Sequence, residues 1–291
     1  MSNAESNTSN EANYVIVAGA AAVQSGAAPV LRDIADRTGI GIFNTWGAKG
    51  LFPWNHPAHL GTIGLQERDV ELAGLAEFDM VVLCGVSDDE LDRAALTAAG
   101  VTWRNVMPVD LGDERLPGRT SPTPRPPLYD QLAAVCQPLY ADDTTPLNPA
   151  RAAADLAALL PDNGLVAADV GRVGFWLGRT FPTSTLGSVQ LPVRPVAGFA
   201  VTQALMARRT GRFGIAVLDA IDEVSQSVID RAKDLLIEVW SADGPQTSPD
   251  QRKQAILDAH GAGGVHVLQL GVRFAAIDAL VAVGGAPRWG A

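Results

Sequence analysis

Between Gly47 and Gly50 the chain reads Gly-Ala-Lys-Gly. Glycine has no Cβ, so Gly47 and Gly50 let the backbone approach a ligand closely, and Lys49 between them carries a cation that could meet a phosphate. Gly19 and Gly85 each follow a short apolar run, residues 14–18 and 79–84. In an open parallel α/β sheet the ends of such runs form the carboxyl edge, where ligands bind. The four glycines and Lys49 therefore outline a candidate crevice. The same glycines read as well as plain turn formers, in which case the crevice holds no cofactor.

Other reactive side chains form no constellation. His56 and His59 flank Pro57, which spoils helical i,i+3 geometry, and no Cys or carboxylate cluster adjoins them, so no metal site is expected. His260 and His266 have no Ser or Cys nucleophile to pair with. Cys84 sits in the apolar run Met80-Val-Val-Leu-Cys84 and reads as a small core residue; with Cys136 the only other cysteine, there is no disulfide framework.

The elements that must position these residues follow from a regular rhythm. Residues 1–13 are polar, of low complexity, and read as a disordered tail or tag. From residue 14 the pattern predicts strands at 14–18, 40–43, 79–84 and 103–109, alternating with helices at 29–38, 66–77 and 87–99, the last with Ser87 as N-cap. Residues 47–64 read as a Gly- and Pro-rich loop. A Pro-rich stretch at 110–126 breaks the rhythm, a helix at 128–139 packs back, and a loop at 141–148 marks the boundary. The rhythm restarts with helices at 149–160, 173–180, 198–208, 221–233, 248–259 and 274–283 and strands at 164–168, 213–218, 235–240 and 265–270. Strands that are continuous apolar runs alternating with helices imply parallel sheets covered on both faces. The expectation is two Rossmann-like α/β units, 14–147 and 148–291.

Composition narrows the function classes. Apolar residues make up 47% and charged residues 19%, a folded and not a disordered balance. A net charge of −10 opposes a phosphate backbone, so nucleic acid is not expected as a partner. The basic run Arg208, Arg209 and Arg212 reads as a solvated helix end. Apolar runs are too short to span a bilayer and no signal peptide is visible, so a cytoplasmic protein without a membrane partner is expected.

The order of motifs between Val15 and Asp89 resembles the central domain of the thiamine-diphosphate enzymes of the acetolactate synthase and benzoylformate decarboxylase type. Gly19 and Ser25-Gly-Ala-Ala28 are followed by Gly47-Ala-Lys-Gly-Leu-Phe-Pro53, His56-Pro57, Gly61, Gly64 and Cys84-Gly-Val-Ser-Asp-Asp89. This resemblance adds Gly64 and Asp88 to the candidate crevice, and it implies that FAD or ADP is a possible ligand. In the second half, Ala167-Ala-Asp-Val-Gly171 is similar to the family's T-D-V-G, which nominates Asp169 and Gly171, and Gly198–Ala207 is similar to its GFGLPAAIGA helix.

The departures matter more. The family holds magnesium with the Asp of a GDG motif and a later Asn. Here the segments read Leu218-Asp-Ala-Ile-Asp222 and Trp240-Ser-Ala-Asp-Gly244, leaving Asp219 and Asp243 as remnants of a metal site. The family's pyrimidine-binding domain, with its activating Glu, has no counterpart that can be assigned. The resemblance thus implies a catalytically degenerate relative, acting as a ligand-binding, regulatory or assembly subunit, for which thiamine diphosphate and magnesium are not expected on the chain alone. The alternatives are one chain of a split thiamine-diphosphate lyase or decarboxylase, with a separate pyrimidine-domain protein as partner, and a FAD- or ADP-binding protein using the first unit. A homo-oligomer is expected, because relatives pair and the Ala-rich faces of 149–160 and 198–207 would allow close helix contact, although those faces read equally as internal packing.

Overall fold

A computed structural model describes residues 12–288; most of the segment read as a tail lies outside the described residues. Five parallel strands form a first sheet: β1 (Tyr14–Ala18), β2 (Ile42–Asn44), β3 (His59–Thr62), β4 (Met80–Cys84) and β5 (Trp103–Val106), in the order β3-β2-β1-β4-β5. A second parallel sheet holds β6 (Leu165–Ala168), β7 (Val189–Gln190), β8 (Gly214–Leu218), β9 (Leu235–Ser241) and β10 (Val265–Gly271), in the order β10-β9-β8-β6-β7. In the first sheet the first strand, β1, is central, and in the second β8 is central with β6 beside it; in each the chain winds outward on both sides of its first strand. The connections diverge at the carboxyl ends of β1 and β4, and of β6 and β8, the switch points where such sheets open a crevice.

Alternation along the strands explains why both faces are covered. Ile16 and Ala18 of β1 face one buried cluster with Leu31, Ile34 and Ala35 of α2 (Ala28–Thr38). Val15 and Val17 face the other, with Leu72 of α3 (Asp69–Leu72), Leu96 of α4 (Arg93–Ala98) and Leu128 of α5 (Pro127–Tyr140). In the second sheet, Val166 and Ala168 pack on α6 (Pro149–Leu159) and α7 (Arg172–Thr180), and Ala167 packs on α8 (Phe199–Arg209). The Ala-rich faces of α6 and α8 are spent inside: Ala150, Ala152 and Ala153 of α6 and Ala200 and Ala204 of α8 are fully buried within the protomer. They are not free to carry helix contacts between copies. The remaining elements are α1 (Ala20–Gln24), α9 (Glu223–Ile229), α10 (Pro249–Ala262) and α11 (Ile277–Gly284). Among the described residues no helix is long and apolar enough to cross a membrane.

Several elements depart from the sequence pattern for local reasons. The helix expected over 66–77 is one turn, α3, because Gly74 leaves it at φ 62° in the left-handed region. The helix expected from Ser87 starts at Arg93 with Asp92 as cap, its side chain accepting the Ala94 N–H at 2.8 Å. Residues 47–64 conceal β3, whose four residues include Gly61 and lie at a sheet edge. The two-residue β7 had no visible pattern, β5 stops at Val106, and α9 starts at Glu223, where Asp222 caps it through the Ser225 N–H, and ends at Ile229. Arg208 is not solvated: its side chain is 6% exposed and pairs with Asp234, with His260 alongside.

The two sheets share a core. Trp46, Leu65 and Cys136 of the first half lie in the same buried cluster as Trp176, Phe181 and Val217 of the second. A buried ion pair crosses the same junction. Arg179 donates to both oxygens of Asp69 at 2.8 and 2.7 Å and to the Thr62 carbonyl at 3.0 Å, and both side chains are 1% exposed. Asp69 also accepts the Leu65 and Gln66 N–H groups. Removing one partner of such a pair strands the other charge, so Arg179→Met is expected to destabilise the chain by about 3–5 kcal/mol, read as a lower urea midpoint. A change below about 0.5 kcal/mol would contradict the structural role of the pair.

Candidate functional site

The carboxyl ends of β1, β4 and β5 form one wall of a crevice of about 900 Å³, and residues 186–199 of the second half form the other. Gly47, Lys49 and Gly85 line it, together with Leu186, Val193, Met107 and Gln24. The glycines, however, lie against other atoms of the chain. A Cβ on Gly19 would lie 2.4 Å from the Gly85 carbonyl oxygen, and one on Gly85 would lie 2.2 Å from the Ala22 nitrogen. The start of α1 is thereby pressed onto the end of β4, with Ala21 N–H donating to the Gly85 carbonyl at 3.1 Å. Gly47, Gly50 and Gly64 are filled in the same way: an added Cβ would meet Ala20 and the Glu90 carboxylate, the Thr185 carbonyl, and the Glu90 carbonyl respectively.

Glu90, which the sequence did not single out, is the hub of this packing. It is 2% exposed. One carboxylate oxygen accepts the Ala20 N–H at 2.9 Å and the Thr45 hydroxyl at 2.5 Å; the other accepts the N–H and hydroxyl of Ser87, both at 3.0 Å. The first turn of α1, where an anion would sit in a dinucleotide-binding fold, is thus served by the chain's own carboxylate. The signal was present: Ser87-x-x-Glu90 is the capping-box spacing, but it closes a turn that reaches across to α1 instead of starting a helix. Asp88 does not face the crevice; its side chain is 79% exposed and pairs with Arg93. Asp89 bridges the crevice to Arg194 at 2.6 Å on an exposed rim.

Lys49 does not meet solvent as a phosphate ligand would. It is buried, with 9% of its surface exposed, and no carboxylate pairs with it among the described residues. Burial first, and the charge of Arg179 second, push its amine down to about 7, against an opposing influence from Cys136. His59 is also buried, its ring nitrogens 3.0 Å from the Trp54 carbonyl and 2.9 Å from the Asn44 side-chain oxygen, and burial holds it down to about 4. His56 stacks on Phe52. Burial raises both thiols, Cys84 to about 11.

The second sheet repeats the theme. Asp169, after β6, accepts the Ala200 N–H at 2.9 Å in the first turn of α8. Asp219, after β8, accepts the Val173 N–H at 3.2 Å in the first turn of α7 and lies 3.4 Å from Arg172. Gly171 lets that carboxylate in, since a Cβ there would lie 2.4 Å from it. Desolvation is the main cause raising both carboxyl groups, and Asp219 and Asp222 add to the shift at Asp169. Asp243 is exposed in the turn after β9 and is not brought to the other carboxylates. Among the described residues, no group of three or more His, Cys, Asp or Glu could hold a metal ion.

Residues 8–112 match the family model of the thiamine pyrophosphate enzyme central domain. Over those residues the chain is similar to that domain. Over 105 residues the chain is 29% identical to acetolactate synthase from Mycobacterium avium and to that from Mycobacterium leprae, a match covering 35% of the chain and 17% of each synthase. The matched segment therefore spans about a sixth of those proteins. Two solved structures share its fold. A benzoylformate decarboxylase from Polynucleobacter necessarius superposes with a TM-score of 0.61 at 14% identity, covering 90% of this chain and 62% of the other. A Mycobacterium smegmatis protein assigned as a thiamin diphosphate-dependent enzyme does so with a TM-score of 0.60 at 16% identity, covering 89% and 61%.

Two outcomes follow from this geometry. Glu90→Ala leaves the Ala20 and Ser87 N–H groups without their acceptor and is expected to cost about 2–4 kcal/mol in urea unfolding, with Glu90→Gln costing less; a loss below about 0.5 kcal/mol would contradict the hub role. For Lys49 the unfolded chain holds the proton up to 10.5 and the folded chain only up to about 7. The unfolded state binds more protons in that window, so this residue makes stability rise with pH across it. Lys49→Met is therefore expected to be the more stable protein at neutral pH, with an advantage that shrinks toward the alkaline end. Parallel pH profiles for the two proteins would contradict this.

Proposed function

We propose that the chain is a ligand-binding relative of thiamine-diphosphate enzymes that holds no diphosphate cofactor at either sheet edge and takes a small, largely uncharged molecule in the crevice beside β1 and β4. The observation that carries this reading is that carboxylates already serve the helix N-termini at both switch points: Glu90 on α1, and Asp169 and Asp219 on α8 and α7. A bound diphosphate would need the same N–H donors and would meet these charges at close range. The residues present do not fit a magnesium-bound diphosphate. Asp219 is engaged with Val173 and Arg172, the position after it is Ala220, and Asp243 stands apart. The same reasoning disfavours FAD or ADP laid against α1.

What the crevice offers instead is apolar surface from Leu186, Val193 and Met107, neutral amides from Gln24, Asn105 and Gln190, and arginines already paired to carboxylates, Arg194 to Asp89 and Arg93 to Asp88. Its volume of about 900 Å³ suits a drug-sized molecule. Calorimetric titration with thiamine diphosphate plus magnesium, with FAD and with ADP tests the reading. No saturable heat is expected from any of the three. Micromolar binding of thiamine diphosphate would overturn it in favour of one chain of a split enzyme, and micromolar binding of FAD or ADP would favour the nucleotide reading.

A further inference from the structure

Three of the four sheet edges are blunted. β3 is buried along its whole length and breaks register with β2, β7 is two residues long, and β5 carries Arg104, which Glu114 holds. β10 is the exception. It pairs with β9 over seven consecutive residues without a bulge, and Val265-His-Val-Leu-Gln-Leu-Gly271 contains no Lys, Arg, Asp, Glu or Pro. Val265 and Val267 are 38% and 40% exposed. A long, uncharged, apolar edge is what soluble proteins otherwise avoid, because its free main-chain groups recruit another strand. The bonds around β10 show which groups are free. The Gly264 carbonyl accepts the Leu235 N–H at 2.9 Å, and the Val272 N–H donates to the Ser241 carbonyl at 2.8 Å; both partners belong to β9. Along a parallel strand, successive residues turn their main-chain groups to opposite sides. His266, Leu268 and Leu270 therefore face β9, and Val265, Val267 and Gln269 face outward. Among the described residues no main-chain bond reaches those three from the outer side. The outer edge closes only at Gly271, whose N–H donates to the Pro245 carbonyl at 2.8 Å.

We propose that β10 is an interface between two copies of this chain, which pair antiparallel about a two-fold axis at Val267 and join their second sheets into one. In that register Val267 faces its own counterpart and Val265 faces Gln269 of the second copy. Every outward residue then meets an outward residue, and each such pair exchanges both of its main-chain bonds. The two Val267 side chains add contact across the strands. The same register sets the Gly271–Pro245 closure against Gly263 and Gly264 of the second copy, where an added Cβ would meet nothing within 4 Å, so the closure has room. Charge agrees with a second copy as the occupant. Two chains of net charge −10 repel, and a strand without charge is where they approach at least cost. Lys233, before β9, and Asp243, after it, are both exposed and stand toward opposite ends of this edge. Antiparallel pairing turns the Lys233 end of one copy toward the Asp243 end of the other. Asp234 and Arg273, near the same ends, are already paired with Arg208 and Asp142.

Sedimentation velocity of the full chain over a concentration series tests this. The wild type is expected to pass from one chain mass to two, with a midpoint in the micromolar range that a small interface gives. Val267→Lys sets a charge against its own like at the axis. It is expected to weaken the dimer about tenfold or more while keeping the circular dichroism of the parent. Cysteine linking reads the register. Under mild oxidation Val267→Cys is expected to join two copies through residue 267, whereas Val265→Cys, which faces residue 269 and not itself, is expected to link poorly. Cys84 and Cys136 are buried and do not compete. A wild-type chain that stays monomeric at the highest concentration would overturn the proposal and leave the edge to an extended segment of another protein. A dimer that Val267→Lys leaves intact would overturn it by placing the contact elsewhere, and so would linking at residue 265 as ready as at 267. The linking test stands even if Val267→Lys does not fold.

Discussion

The carboxylate of Glu90 holds the first sheet's carboxyl edge together. Its four hydrogen bonds join the first turn of α1, the end of β2 through Thr45, and the turn after β4 through Ser87. The glycines around it exist to let that carboxylate and its own backbone in. Gly64 comes within 2.3 Å, Cβ to oxygen, of the Glu90 carbonyl, and Gly47 within 2.7 Å of its side chain, had either carried a Cβ. A helix N-terminus attracts negative charge whatever its source. When the source is an internal side chain, the charge becomes part of the fold. Asp169 and Asp219 accept helix N–H groups in the same way at the second sheet, and desolvation raises their carboxyl groups.

The second constraint is the junction between the two sheets. Arg179 and Asp69 pair in full burial, and Trp46 and Leu65 enter the core of the second half. This junction fixes the 186–199 segment opposite the strand ends and so creates the crevice. It also buries Lys49 behind the Gly47 turn, and that burial first, with the charge of Arg179 second, holds its amine down to about 7. Fold and chemistry are linked here: the cation that locks the halves together also perturbs the lysine.

The architecture was legible in the sequence because continuous apolar runs such as Met80–Cys84 and helices with period-3.6 burial such as α2 state their environment directly. The motif order between Val15 and Asp89 was legible too, and the family match over residues 8–112 agrees with it. The site was less so. Gly19, Gly47, Gly50, Gly64 and Gly85 were identifiable as close-approach positions, but a sequence does not say whether backbone approaches ligand or backbone. Glu90 was hidden because Ser87-x-x-Glu90 spells a helix start, and only the fold reveals that α1 lies within reach of its second oxygen. Asp88, selected by motif position, points to solvent, and β3 and β7 were too short to carry a periodic signal.

The most direct measurement is a crystal structure grown with thiamine diphosphate, magnesium and ADP. The carboxylates of Glu90, Asp169 and Asp219 should remain on the N–H groups of Ala20, Ala200 and Val173, with no diphosphate at either switch point. Diphosphate oxygens accepting those N–H groups, with the carboxylates turned away, would contradict the central claim that internal charge has taken the place of the cofactor's.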